Sequence, residues 1–488
     1  SGELEAIASA PAAKRWPSGL LAVAGAAVLI GSVWLAGRRA GESASEPRMS
    51  RTADAGEIAA GTRGAAAGDD AVLQLAYADL SDDTRPSIAV LPVADMSREG
   101  DQEYFADGMT EELLNALAKI RELRVAGRTS SFQYRGQEKD LRQIGEELGV
   151  RYLVEGSIRK QDDRLRITAQ LVDADDSFHL WSETYDRTLD DIFAIQEEIS
   201  EAIAAALEVS LGLTGDETLV MPTADLGAYD LYLAAQARVR ERGDGVKEAV
   251  RLYEAAVARD SAWAPAWAGL AQARALLPYY PDSVIGSVES RDEWKQSLDD
   301  AEAAARRALA IDPSNSGAEV ALGNVMRDRR QWGDAEPHYL RALQIDPDNV
   351  EAHQQYAEYL AASGRLDEAL RSARRGVDLD PTSAIRLLVL GYILRVNGHS
   401  PQAIATLERA VEIDPSLLRA QFNLAGTYVS SGDFDQAERV LLEETFPRLE
   451  ASGRMTSEER ATRSEQVRRE MAALRGGDIE ELEACCAP

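Results

Sequence analysis

Four Asp-Pro dipeptides, Asp312-Pro313, Asp346-Pro347, Asp380-Pro381 and Asp414-Pro415, recur every 34 residues. Each closes an apolar helical pattern: ALAID, ALQID, GVDLD and AVEID. Proline just past a helix ends it, because it lacks the N–H that the next turn needs. Other positions keep the same phase. Leu322-Gly323, Tyr356-Ala357, Leu390-Gly391 and Leu424-Ala425 are one set, and Ala335, Ala369, Ala403 and Ala437 are another. Small side chains there let two helices approach closely. No such helical pair can bury its apolar face alone, so the segment must stack pair upon pair into a solenoid.

A helix–turn–helix unit of 34 residues is the tetratricopeptide (TPR) signature. Leu270-Ala271, Ala301 and Ala308 extend the register upstream around an 18-residue insertion at 278–295, which holds Tyr279, Tyr280, Pro281 and Trp294. Ala249, Tyr253 and Ala256 mark a further repeat. The phase predicts about six repeats over 226–444, a polar capping helix at 457–474 and a tail at 475–488.

Ahead of the repeats the texture differs. Ser87–Val93 is a short apolar run that reads as a buried strand, and Asp107–Ile120 has helical spacing with Thr110 as a plausible N-cap. Leu123–Gly127 reads as a second strand and Leu141–Leu148 as a second helix. Arg151–Lys160 and Arg164–Asp173 alternate apolar and polar residues around the turn at 161–163, His179–Asp186 continues the sheet, and Asp191–Leu211 reads as a long closing helix. Two βα steps followed by a meander predict an α+β domain over 85–212.

The wording of this domain resembles a known family. IAVLPVADMS (Ile88–Ser97), EYFADGMTEELLNAL (Glu103–Leu117), RTSSFQYRG (Arg128–Gly136), LGVRYLVEGSIRK (Leu148–Lys160), LRITAQLVDA (Leu165–Ala174) and HLWSETYDR (His179–Arg187) look like the TolB amino-terminal-like (FlgO-like) domain. The resemblance implies a bacterial protein in which this domain lies between a membrane span and TPR repeats. It implies a winged-helix regulator, a nucleotide cyclase or a protein kinase as the usual upstream half. It brings no catalytic residues, since the family domain carries no assigned activity.

A 20-residue stretch without charge, residues 17–36, follows a flank at 1–16 and has the length of one helical membrane crossing. Trp16 and Trp34 stand near its ends, with Lys14-Arg15 before it and Arg38-Arg39 after it. A cleaved signal peptide is the alternative; the long apolar run and the basic pair behind it favour a retained span. Ala27 and Gly31 form a small-xxx-small pair compatible with homo-oligomerisation, though such pairs arise readily in an Ala/Gly-rich span. Residues 37–84 lack apolar periodicity and read as a flexible linker. The expected location is a bacterial inner membrane. Family context implies a periplasmic soluble part, whereas Arg48 and Arg51 favour a cytoplasmic one.

Composition narrows the function. Acidic residues outnumber basic ones 83 to 53, for a net charge of −30, so the chain would repel a polyanion and no nucleic-acid partner is expected for it. Four histidines and two cysteines leave few candidates for general bases, metal ligands or disulfides. No GxxxxGK[ST], HExxH, CxxC or GxSxG pattern occurs. Ser157–Lys160 matches SxxK but lies in a predicted strand, and Gly476–Glu480 looks like a GGDEF loop without a cyclase-sized domain around it. His179, His338, His353 and His399 fall in separate elements, and Cys485-Cys486 read as an inert tail pair. No catalytic residue, cofactor or metal site is expected.

The remaining candidate site is the repeat groove. In the first helix of each repeat, the face opposite the packing positions presents Asn324 and Arg327, then Glu351, Gln354 and Glu358, then Tyr392 and Arg395, then Arg419 and Phe422. Mixed polar and aromatic groups suit an extended peptide or a partner's helix; a merely solvated face is the bland alternative. The expectation is therefore a non-catalytic, membrane-anchored scaffold or sensory module that binds a protein or peptide. The alternative is the C-terminal part of a membrane regulator. The chain begins at Ser1 rather than Met, so a winged-helix, adenylate cyclase or kinase effector could precede it.

Overall fold

The computed structural model describes residues 85–478, apart from 98–102, 119, 121–122, 138, 162–163, 189–197, 200–201, 204, 207–224, 242–243 and 280–287. The expected membrane span, the linker, the 162–163 turn, Tyr280, Pro281 and Cys485-Cys486 lie outside the described residues. So does most of the predicted closing helix at 191–211. Among the described residues, no helix is long and apolar enough to cross a membrane.

Residues 85–188 build a mixed sheet with β1 (Ser87–Val90), β2 (Ala94–Asp95), β3 (Arg124–Val125), β4 (Tyr152–Gln161), β5 (Arg164–Asp173) and β6 (Phe178–Thr188). The strand order is β3-β1-β4-β5-β6, with β2 also paired to β4. The short strands run parallel to their partners, and β4, β5 and β6 form an antiparallel meander. Both faces of β1 are covered, which explains its unbroken apolar run. Ile88 and Val90 join Met109, Leu113 and Leu117 of helix α1 (Glu103–Leu117) in one core. Ala89 and Leu91 join Ile144 and Leu148 of α3 (Leu141–Leu148) in another. Asp140 caps α3 by accepting the Arg142 N–H at 2.9 Å, and Gly149 ends it in the left-handed conformation. A short helix α2 (Arg128–Phe132) follows β3, where apolar periodicity gave no sign of one.

The repeat helices are α4 (Leu226–Glu241), α5 (Asp244–Arg259), α6 (Ala264–Leu276), α7 (Val288–Ile311), α8 (Ser316–Asp328), α9 (Trp332–Ile345), α10 (Val350–Ala362), α11 (Leu366–Leu379), α12 (Ala384–Val396), α13 (Ser400–Ile413) and α14 (Leu418–Ser431). After α15 (Phe434–Arg439) come a π-helical turn (Val440–Thr445), α16 (Phe446–Ala451) and α17 (Ser457–Gly476). Thr456 and Glu459 form a reciprocal capping box at the start of α17, and Gly477 in the left-handed region stops it. The chain divides into two compact units, one ending at Val389 and one starting at Leu390.

The in-phase small residues do what their spacing implies. Ala335, Ala369, Ala403 and Ala437 are fully buried. A Cβ on Gly323 would stand 2.6 Å from the Tyr339 ring, so only glycine allows α8 and α9 this approach. The 278–295 insertion is partly helical: α7 begins at Val288, and Trp294 on it packs against Tyr279 with ring centroids 5.3 Å apart. Trp294 also packs against the buried cluster of Ala275, Leu298, Ala301 and Val325, while Tyr279 stays 49% exposed.

In three Asp-Pro turns the aspartate serves its own turn. Asp312, Asp346 and Asp414 accept the N–H two residues ahead, from Ser314 (2.9 Å), Asp348 (3.1 Å) and Ser416 (2.9 Å). Asp380 is different. Its Oδ1 accepts the Ser130 N–H of α2 at 2.7 Å, and the Thr382 N–H donates instead to Ser130 Oγ at 2.9 Å. The Gly127 N–H donates to Leu379 O at 2.7 Å, and Gln133 Nε2 donates to Thr382 O. Arg85 bridges to Asp348, which Arg375 also holds at 2.5 Å. The sheet domain is thus bonded to the repeats, and the core of Ile88, Met109 and Leu113 continues into Tyr229 and Leu233 of α4.

Candidate functional site

Packing consumes one face of each first helix, and the groove candidates lie on what is left. In the unit ending at Val389 most of them are bonded to neighbouring side chains. Tyr339 Oη donates to Asn324 Oδ1 at 2.9 Å. Arg327, 16% exposed, donates to Gln355 Oε1 at 2.8 Å and pairs with Asp328 at 3.1 Å and Glu358 at 3.8 Å. Burial opposes its charge, but Tyr339, Asp328 and Glu358 outweigh that and raise its pKa. Glu351 receives Gln355 Nε2 at 2.7 Å and Arg386 at 3.1 Å. Gln354 is buried, and its Oε1 has no hydrogen-bond partner.

The unit starting at Leu390 is more open. Tyr392 is 37% exposed, and the Arg395 guanidinium lies over its ring at 5.5 Å. Arg395 Nε is buried without a hydrogen-bond partner, and burial, with no carboxylate to counter it, lowers the group's pKa. Arg419 is exposed, its carbonyl taking Asn423 Nδ2 at 2.8 Å, and Phe422 is half-buried.

Two of the histidines take structural places, while His179 and His399 are exposed. His338 Nδ1 sits 2.7 Å from Glu319 Oε2. His353 is fully buried, with Nε2 2.9 Å from Pro347 O, and burial pushes its pKa down to about 4. Gln421, 68 residues on, donates from Nε2 to Pro415 O at 2.8 Å. This shared brace of the Asp-Pro turn escaped sequence reasoning, although the two-repeat spacing could have revealed it. Ser157–Lys160 lies within β4. Among the described residues, no group of three or more His, Cys, Asp or Glu is placed to hold a metal ion.

Residues 326–389 and 397–443 match the family model described as tetratricopeptide repeat. Residues 84–202, which cover most of the 85–212 stretch expected to be TolB-like, match the model described as HilA/YgeH-like transcriptional regulator, second domain. Over 218 residues the chain is 39% identical to "Putative adenylate cyclase 3" of Rhizobium meliloti (strain 1021), covering 44% of this chain. The chain spans only 35% of the length of that relative. Among solved structures, YrrB, a TPR protein with an unusual peptide-binding site, is 20% identical, with a TM-score of 0.29 over 40% of this chain and 91% of its own. A thermophilic TPR protein of Thermus thermophilus is 18% identical, with a TM-score of 0.33 over 41% of this chain and 97% of its own. The C-terminal half of the chain is a TPR-type interaction scaffold.

Proposed function

We propose that this chain is a non-catalytic scaffold or sensory module whose first-helix faces receive an extended peptide or a helix of a protein partner. The carrying observation is the state of Tyr392 and Arg395, which the fold positions yet does not use. Pull-down with the full chain tests the reading. Replacing both Tyr392 and Arg395 by alanine should lose partners that the wild type retains, and a variant that keeps every partner would remove the groove assignment.

The second reading makes the chain the C-terminal part of a larger regulator with a winged-helix, adenylate cyclase or kinase effector upstream. It is favoured by the partial match to a much longer protein named as a cyclase and by the regulator-type family matched at 84–202. The open reading frame upstream of Ser1 decides it: an in-frame effector domain supports it, and a start codon close by sinks it. On either reading residues 17–36 serve as a single anchor in a bacterial inner membrane, and the sheet domain is the TolB-like element of a signal-transducing chain. Alkaline phosphatase and green-fluorescent fusions after Gly212 test the sidedness. Phosphatase activity supports the periplasmic side, and fluorescence without it the cytoplasmic side.

A further inference from the structure

Arg327 and Arg395 occupy the same place two repeats apart, 68 residues along the chain, and differ in everything around them. Asp328, Gln355 and Glu358 satisfy Arg327. The equivalents of those three for Arg395 are Val396, Asn423 and Gly426. Val396 offers no charge. Asn423 gives its amide N–H to the Arg419 carbonyl. Gly426 is buried on its helix and has no side chain, and a Cβ built there would meet nothing within 4 Å. The fold therefore keeps a half-covered guanidinium, steadied by the Tyr392 ring, and leaves open the place from which a glutamate would answer it. A partly buried cation without a charged partner carries a desolvation cost, which gives an incoming carboxylate an advantage that a neutral group lacks. In a chain of net charge −30, long-range attraction does not draw an acidic segment here, so the selectivity is local.

We propose that Arg395 and Tyr392 receive an aspartate or glutamate side chain of the bound partner, in the space that Gly426 leaves. The proposal rests on the peptide-binding reading above and names the chemistry of its ligand.

The test uses the full chain and labelled peptides, acetylated and amidated, in which Glu-Ser repeats are compared with Gln-Ser repeats. Wild type should prefer the acidic peptide by about ten- to a hundredfold, the range of a hydrogen bond to a charged group. Arg395→Gln should abolish the preference. Gly426→Glu should abolish it too, by supplying the missing carboxylate from within, in a variant whose circular dichroism matches that of wild type. Equal binding of both peptides, or an unchanged acidic preference in Gly426→Glu or Arg395→Gln, overturns the proposal. Equal binding of both peptides in a groove still sensitive to Tyr392→Ala would leave the scaffold reading standing. Failure to bind either peptide or any partner would overturn both.

Discussion

Replacing Asp380 by alanine should loosen the sheet domain from the repeats. The Asp380 side chain is almost fully buried, and its Oδ1 is the acceptor for the Ser130 N–H. Alanine leaves that N–H buried without an acceptor, a loss of about 1–3 kcal/mol, toward the upper end because the acceptor is charged. Arg386, 3.9 Å from Asp380, also loses a charge partner but keeps Glu351 at 3.1 Å. The total should be about 2–4 kcal/mol. Asp414→Ala is the internal control, because that carboxylate serves only its own turn, through Ser416 N–H and Oγ. Its loss should cost about 1 kcal/mol. Urea unfolding followed by circular dichroism and tryptophan fluorescence measures both, and Asp380→Asn, which retains an acceptor, should fall between wild type and Asp380→Ala. If Asp380→Ala costs no more than Asp414→Ala, the cross-domain bond contributes nothing and the reasoning fails.

Two further outcomes follow from the packing and the titration. The His353 pKa is held near 4 by burial, below 6.5, so the unfolded chain takes up a proton first as pH falls. Stability from this group is intact above about pH 6.5 and declines as pH drops toward 4, by about 2 kcal/mol at pH 4.5. Burial raises the Asp346 pKa to about 6, so Asp346 titrates with the opposite sign in the same window. That contribution cancels when wild type is compared with His353→Gln, whose glutamine copies the place of Gln421. The variant should lose less stability between pH 7 and 4.5 in urea titrations, and parallel pH profiles would refute the assignment. Gly323→Ala should cost about 1–3 kcal/mol in thermal unfolding, because its Cβ would meet the Tyr339 ring at 2.6 Å; a neutral substitution would show that α8 and α9 can part freely.

The repeat register was legible because every period repeats the same packing problem, and small residues answer it at fixed positions. The sheet was legible where alternation or a continuous apolar run marked a strand. The α2 helix was not, since Arg128–Phe132 is too short to show a period. The bond between the sheet domain and the repeats was hidden as well: Asp380 looks like Asp312, Asp346 and Asp414, and its partner Ser130 lies 250 residues away. In the groove, Arg327 and Arg395 read as equal candidates from their shared position. Only their neighbours separate them: Asp328 beside Arg327 is replaced by Val396, and on the next repeat Glu358 answers one while Gly426 stands opposite the other. The local periodicity that finds a face does not count the partners across it.

The most direct test of the scaffold reading places a photo-crosslinking amino acid at Tyr392 of the full chain, with Arg409 on α13 as control. Arg409 is exposed and belongs to the second helix of its repeat. Irradiation in producing cells should yield a discrete protein adduct from position 392, absent from position 409 and lost when Arg395→Gln is added. Adducts of equal yield at both positions, or none at 392, would contradict the account.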